Sequence, residues 1–265
     1  MKMSRQAWYQ SLQRQRIRET QAKNIIERVT VIRLQQPRLG TRKLHHVLQQ
    51  SAEPTLQVGR DRLFQILRCS RLLVLPKRAY HKTTNSHHRF HRHPNLLKPG
   101  QNQVIARQPE QVWVADITWL PLRNGTAYLS LVTDAWSRKI VGYHVHESLH
   151  TTHVANAFRM ALAGRERVSQ LVHHSDRGIQ YCATEYQELH KRHGVICSMT
   201  DGYDCYQNAL AERINGILKM EYLLVKPENI EQARKMVKES VEIYNTRRPH
   251  LSLEYKTPDE VHRAF

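Results

Sequence analysis

The chain has 265 residues, 40% of them hydrophobic, with 41 Lys and Arg against 23 Asp and Glu for a formal net charge of +18. This composition excludes a disordered chain and leaves room for one large domain or two smaller ones. No run approaches the ~18 continuous apolar residues of a membrane span, and the opening MKMSRQAWYQ lacks the apolar stretch of a secretory signal. Cys69, Cys182, Cys197 and Cys205 show no CxxC spacing and read as thiols of a reducing cytoplasm.

The charge is uneven. Residues 1–110 carry 22 Lys and Arg but 5 Asp and Glu, whereas residues 111–265 carry 19 and 18. A basic front joined to a near-neutral back implies a polyanion-binding part, nucleic acid being the usual partner, with an anionic membrane surface as the rival. Residues 5–35 lack Gly and Pro and predict a helix, broken by Pro37 and Gly40. A second helix restarts over 41–50 with Thr41 as candidate N-cap. A third falls within 58–73, where Leu63, Ile66 and Leu67 recur at helical spacing among Arg60, Arg62, Arg68 and Arg71. The pair fits a helix-turn-helix-like unit over residues 1–75, and equally an amphipathic pair with a solvated basic face. Residues 76–108 then read as a basic linker punctuated by Pro76, Pro94 and Pro99. Its His81, His87, His88, His91 and His93 raise the idea of a zinc site, but no paired Cys accompanies them.

From residue 109 to 265 the pattern changes. Strands are predicted at 112–122, 126–136 and 139–147, the first two joined by the hairpin signal Asn124-Gly125. A helix over 152–164 ending at Gly164, a strand at 170–176, a helix over 184–194 and a strand at 195–200 follow. Helices over 205–224 and 230–246 complete the set. Three meandering strands followed by helix–strand alternation imply an α/β fold, with a mixed sheet flanked by helices.

Three acids occupy telling places: Asp116 in the first strand, Asp176 at the end of the fourth and Glu212 in the long helix, with 35 residues between the last two. Lys219 follows Glu212 by seven positions, which returns to within about 20° of the same helix face, while Glu221 lies about 180° round. Hard divalent cations take oxygen ligands, and two ions held by a few carboxylates can activate an attacking oxygen and stabilise a leaving one at a phosphate. A basic surface would bring the polyanion close and a small acidic pocket would hold the metal. Each acid alone has a plainer role, since a strand-end Asp commonly caps a turn and a helical Glu is commonly solvated. Asp134 reads as a strand end pairing locally with Arg138. In YNTRRPHLSL (244–253), Arg247, Arg248 and His250 are candidates for phosphate, while Tyr244, Leu251 and Leu253 read as docking the C-terminal helix.

The blocks DITWL, HSDRGIQY, NALAERINGILKMEY and YNTRRPHLSL with TPDEV, in this order, resemble the second-frame transposase of the bacterial insertion-sequence-three family, whose catalytic core is similar to retroviral integrase. The core resemblance spans roughly residues 105–262. In front, LGTRKLHHVL stands where that family has a Gly-Tyr-Arg-Arg-like motif, Thr41 replacing the Tyr. The resemblance implies an RNase H-like core with Asp116, Asp176 and Glu212 as catalytic metal ligands for Mg²⁺ or Mn²⁺, two ions per site. Lys219 would contact DNA near the element end. Asn208 matches an Asn of the family's block, although Gln207 stands where the family has Asp. Arg42, Lys43, Arg60, Arg62 and Arg68 would add DNA contacts. The implied activity is strand cleavage at element ends and transfer of the 3′-OH, in a bacterial cytoplasmic, nucleoid-associated protein. It would act as a homo-multimer on double-stranded DNA, with an upstream-frame product or fusion as a further partner, since MKMSRQAWY resembles the start of second-frame products. A catalytically inactive DNA-binding regulator and an RNase H-like nuclease are the alternatives.

Overall fold

The structure, a computed structural model, describes residues 4–75, 93–166, 170–201 and 208–265. It divides into two compact units, Met1–Arg78 and Ala79–Phe265. His81, His87, His88 and His91 lie outside the described residues.

The first unit is helical. Helix α1 (Arg5–Gln35) starts at Ser4, whose hydroxyl accepts from the Ala7 amide at 3.2 Å. Only its second half buries side chains, Ile25 and Val29. These pack with Leu44 and Leu48 of α2 (Thr41–Gln49) and Leu63, Ile66 and Leu67 of α3 (Arg60–Cys69). Thr41 is not the cap expected of it. It is buried as the first helical residue, which leaves Gly40 at the cap position with no side-chain bond. The α2–α3 connection, residues 50–59, contains a 3₁₀ turn, Pro54–Leu56, that drives Leu56 into the core. The connection is therefore longer than the tight turn of a simple helix-turn-helix.

The second unit holds a five-stranded mixed sheet in the order β3-β2-β1-β4-β5. Strands β1 (Val112–Pro121), β2 (Thr126–Asp134) and β3 (Ile140–His146) form an antiparallel meander. The turn between β1 and β2 uses Gly125 at φ +107, a conformation that favours glycine. Strands β4 (Val172–Ser175) and β5 (Ile196–Met199) add in parallel beside β1. One sheet face packs on α4 (Thr151–Ala163), the short α5 (Ile179–Cys182) and α6 (Thr184–Arg192) through Trp113, Phe158 and Tyr186. The other packs on α7 (Ala209–Ile217) and α8 (Ile230–Arg247) through Leu129, Ile214, Val237 and Tyr244. A final helix, α9 (Pro258–Arg263), is closed by a capping box between Thr257 and Glu260. This is the RNase H-like arrangement that the sequence resemblance implies.

Several details depart from the sequence reading. The linker expected to reach residue 108 does not: the Met199 amide donates to the Pro94 carbonyl at 3.2 Å and the Leu96 amide to Ser198 Oγ at 2.9 Å, so this segment straps the β5 edge. Of the long helix expected over 205–224, residues 205–207 lie outside the described residues; the rest is regular from Ala209 to Ile217 and then widens into a π turn, Leu218–Tyr222. Asp134 ends β2 and pairs locally with Arg138 as expected, its carbonyl accepting from the Arg138 amide at 2.9 Å and its charge favouring the charged guanidinium. It is fully buried and accepts from the amides of Glu110 (2.7 Å), Trp136 (3.1 Å) and Ser137 (2.7 Å), which fixes the turn into β3.

Candidate active site

Asp116 points from the middle of β1 toward α7, because alternate strand residues face opposite ways and Asp116, Thr118 and Leu120 share the α7 face. Asp176 follows the last residue of the neighbouring parallel strand β4. Its backbone turn is fixed by its own side chain, Oδ1 accepting from the Gly178 amide at 3.0 Å. A Cβ at residue 178 would meet that same Oδ1 at 3.0 Å, so a side chain there would push the carboxylate by a few tenths of an ångström. Asp176 is thus both the turn residue that a strand end favours and a wall of the cleft. Asp116 and Asp176 line one shallow cleft together with Trp119, Tyr128, Ile179 and Tyr181.

Glu212 sits in the first turn of α7 and is exposed. From the same helix Asn215, one turn on, donates through Nδ2 to Asp116 Oδ2 at 2.7 Å. Lys219, in the π turn, donates to Thr118 Oγ1 at 3.3 Å and is drawn toward the Asp116 charge. Residues 212, 215 and 219 therefore present one face of α7 to the β1 carboxylate. Asn215 and Thr118 escaped the sequence reading. Their signal was present, as the i+3 neighbour of Glu212 and the i+2 neighbour of Asp116 on the same faces.

The acids are electrostatically crowded. Burial first and the Asp176 charge second push the Asp116 carboxyl up to about 7, against the Asn215 hydrogen bond, with Glu212 adding a smaller push in the same direction. Glu212 is itself raised, by burial and then by Asp176. Among the described residues, no three His, Cys, Asp or Glu side chains stand close enough to hold one ion as placed. The donor set nonetheless suits a hard divalent cation. Two carboxylates share a cleft, a third lies within electrostatic reach of Asp176, and the half-buried Lys219 feels the Asp116 charge.

The other expected contacts separate. Arg42, Arg60, Arg62, Arg68 and Arg247 are exposed, and Lys43 is half-buried. Two expectations need correction. Arg248 is buried at 3% exposure, donates to both Glu221 carboxylate oxygens at 2.7 and 2.8 Å and stands over the Tyr244 ring, so its charge is committed inside the fold. Asn208 is buried too, its amide donating to the Ala115 carbonyl at 3.0 Å, so it pins the start of α7 to β1 rather than facing DNA. His173 and His174 are fully buried, His174 Nδ1 lying 2.8 Å from Ser198 Oγ. Among the described residues no helix is long and apolar enough to cross a membrane.

Comparison with known proteins agrees with this geometry. Two family models, each described as an integrase core domain, match residues 106–205 and 193–258. The chain is 39% identical over 217 residues to the insertion element IS600 uncharacterized 31 kDa protein of Shigella sonnei, covering 81% of this chain and 77% of that one. It is 35% identical over 155 residues to the transposase InsF for insertion sequence IS3fB of Escherichia coli K12, covering 58% of this chain and 53% of the relative, so it spans about half that protein's length. Among solved structures, the simian T-cell lymphotropic virus intasome in complex with the PP2A regulatory subunit B56 gamma matches 84% of this chain and 74% of its own. The TM-score is 0.51 at 18% identity, a likeness of fold.

Proposed function

The chain belongs to the IS3 family of insertion-sequence transposases with an integrase core domain, and from that premise we propose that it cuts one DNA strand at each end of its element and joins the freed 3′-OH to a new phosphodiester. The observation that carries the reading is the meeting of Asp116 and Asp176 in one cleft, with Glu212, Asn215 and Lys219 presented to it from a single helix.

Asp116, Asp176 and Glu212 would hold two divalent ions, Mg²⁺ or Mn²⁺. When bound, the ions supply positive charge that stabilises the attacking and leaving oxygens of the displacement. Asn215 fixes the Asp116 carboxylate by donating to Oδ2, and the Ile117 amide donates to the same carboxylate. Thr118 steadies the Lys219 ammonium beside the carboxylates, where it favours an incoming phosphate that Asp116 and Asp176 alone would repel. Water is the nucleophile of the first cut and the 3′-hydroxyl that of the second. Each is a phosphoryl transfer in which positioning and charge supply the rate, and no covalent protein–DNA adduct is needed. The exposed Arg42, Arg60, Arg62 and Arg68 of the first unit hold double-stranded DNA through phosphate contacts. Two ends must be cut together, so the active form on DNA is at least a dimer.

The test is a cleavage and strand-transfer assay on labelled duplexes carrying the ends that flank the gene, with and without Mg²⁺ or Mn²⁺, beside Glu212→Gln. Joined products that need both metal and Glu212 establish the reading. Tight end binding by both proteins with no product, even with the upstream frame fused on, would replace it with a DNA-binding regulator.

A further inference from the structure

The cleft that holds the two aspartates has a second wall that the chemistry above does not use. Trp119 on β1 lies directly across from Tyr128 on β2, and Tyr128 directly across from His146 on β3. Three aromatic rings thus run in a row across three strands, on the sheet face opposite the one that Asp116 and Thr118 share. The row ends in the cleft, because Trp119 and Tyr128 line it beside Asp116 and Asp176. Both rings are partly exposed, and the neighbouring Leu149 and Ile179 are exposed at 39% and 44%.

Tyr128, the middle ring of the row, is firmly backed. Tyr128 stacks on His146 with ring centroids 5.9 Å apart and planes 24° apart. His146 is buried and both its ring nitrogens are engaged, Nε2 at 2.9 Å from Ser130 Oγ and Nδ1 at 2.7 Å from the Ser148 carbonyl. It is stacked in turn on His144 and His153 with planes 15° and 11° apart. A ring held this way loses little freedom when something stacks on its open side. The wall is apolar and aromatic, and apart from the two aspartates it carries no charged group. Its ligand is therefore flat and uncharged on the face it offers, while lying next to a phosphate bound at the carboxylates. A nucleobase has both properties. Bases inside a duplex already stack on one another, so only unpaired bases can use the wall.

Resting on the transposase reading, we infer that Trp119 and Tyr128 form a stacking platform that seats unpaired bases of the DNA beside the phosphate to be cut. The platform favours ends whose strands have parted at the cleavage point.

The test is equilibrium binding of the full chain, without metal, to a duplex bearing a three-nucleotide single-stranded overhang, against the same duplex with an abasic overhang. The wild type is expected to prefer the base-bearing overhang about tenfold. Trp119→Leu and Tyr128→Leu, which keep apolar bulk but no ring, reduce the preference to within about twofold. Trp119→Phe keeps most of it. Equal binding of the two overhangs by the wild type, or a full preference retained by Trp119→Leu, overturns the inference. A Trp119→Leu protein that changes oligomeric state with its preference intact makes the patch a protein interface, and also overturns it. The two readings fail separately. A wild type that cuts and joins ends but ignores the bases defeats only the platform. One that prefers the bases but never cuts defeats only the transposase reading.

Discussion

Asn215 Nδ2 donates to Asp116 Oδ2 at 2.7 Å, so the helix that carries Glu212 and the strand that carries Asp116 are joined by one hydrogen bond at the cleft. A partner of this kind sets which carboxylate oxygen is free and holds it in place for a ligand. Removing such an outer partner of a metal-binding carboxylate costs about 10–100-fold in metal affinity or activity. Asn215→Ala is expected to fold, to bind end DNA as the wild type does, and to need about 10–100-fold more Mn²⁺ for half-maximal cleavage. A metal titration of the cleavage rate reads this directly. An unchanged titration would show that the bond is a packing detail.

Asp116 also sets a pH signature. Burial and the Asp176 charge raise its carboxyl to about 7, whereas an unfolded chain has an ordinary carboxyl near about 4. Between those values the folded protein binds more protons than the unfolded one, so stability falls as the pH rises through this window. Without metal, Asp116→Asn should therefore melt higher than the wild type at pH 8, by a few degrees at ~2–4 °C per kcal/mol. The difference should shrink to nothing near about pH 4. Adding Mg²⁺ should raise the wild-type melting temperature and leave the variant nearly unmoved. Thermal melts across pH, in chelator and then in Mg²⁺, check both halves.

These two residues mark how far the sequence could be read. The strands were legible because β-branched and aromatic runs alternate between turn residues. All five appear within a few residues of their predicted bounds, and helix α1 matches its prediction over 5–35. Asp116 and Asp176 stood out through the family blocks DITWL and HSDRGIQY that hold them and their spacing to Glu212, since each acid alone has a plainer role. The role of Asn215 was not legible, because it depends on α7 lying across β1, a tertiary contact that helical spacing only permits. The π turn at Leu218–Tyr222 was hidden for the same reason: packing, not local propensity, widens the helix there. Asn208 was read from its match to the family's block and Arg248 from its place in YNTRRPHLSL, and neither shows the partner that buries it. Glu221 and the Ala115 carbonyl, distant in sequence, satisfy them inside.

Asn208 therefore has a testable structural part. Its buried amide ties the residue before α7 to the β1 carbonyl adjoining Asp116. Asn208→Ala leaves that carbonyl without this donor, at a cost of about 1–3 kcal/mol. A lower urea midpoint with unchanged slope, and unchanged affinity for end DNA, is the expected result. A loss of DNA affinity at unchanged stability would return Asn208 to the DNA surface.

The arginines divide into two classes by the same reasoning, and salt separates them. Arg248 donates twice to Glu221 from a buried position, so Arg248→Met leaves that carboxylate without its partner and should cost ~3 kcal/mol of stability. Glu221→Leu added to it should recover much of the loss, because an apolar pair needs no charge partner. Neither change should alter the dependence of DNA affinity on salt. Arg42, Arg62 and Arg68 are exposed, and a phosphate held by each would release about one counterion on binding. Replacing any one of them by Gln should leave the melting temperature within a degree or so while lowering the slope of log affinity against log salt by ~0.9. Binding isotherms over a range of NaCl concentrations distinguish the classes. A slope that falls for Arg248→Met would mean that the buried pair opens onto DNA, and a slope unmoved by all three exposed variants would place the DNA on another face of the protein.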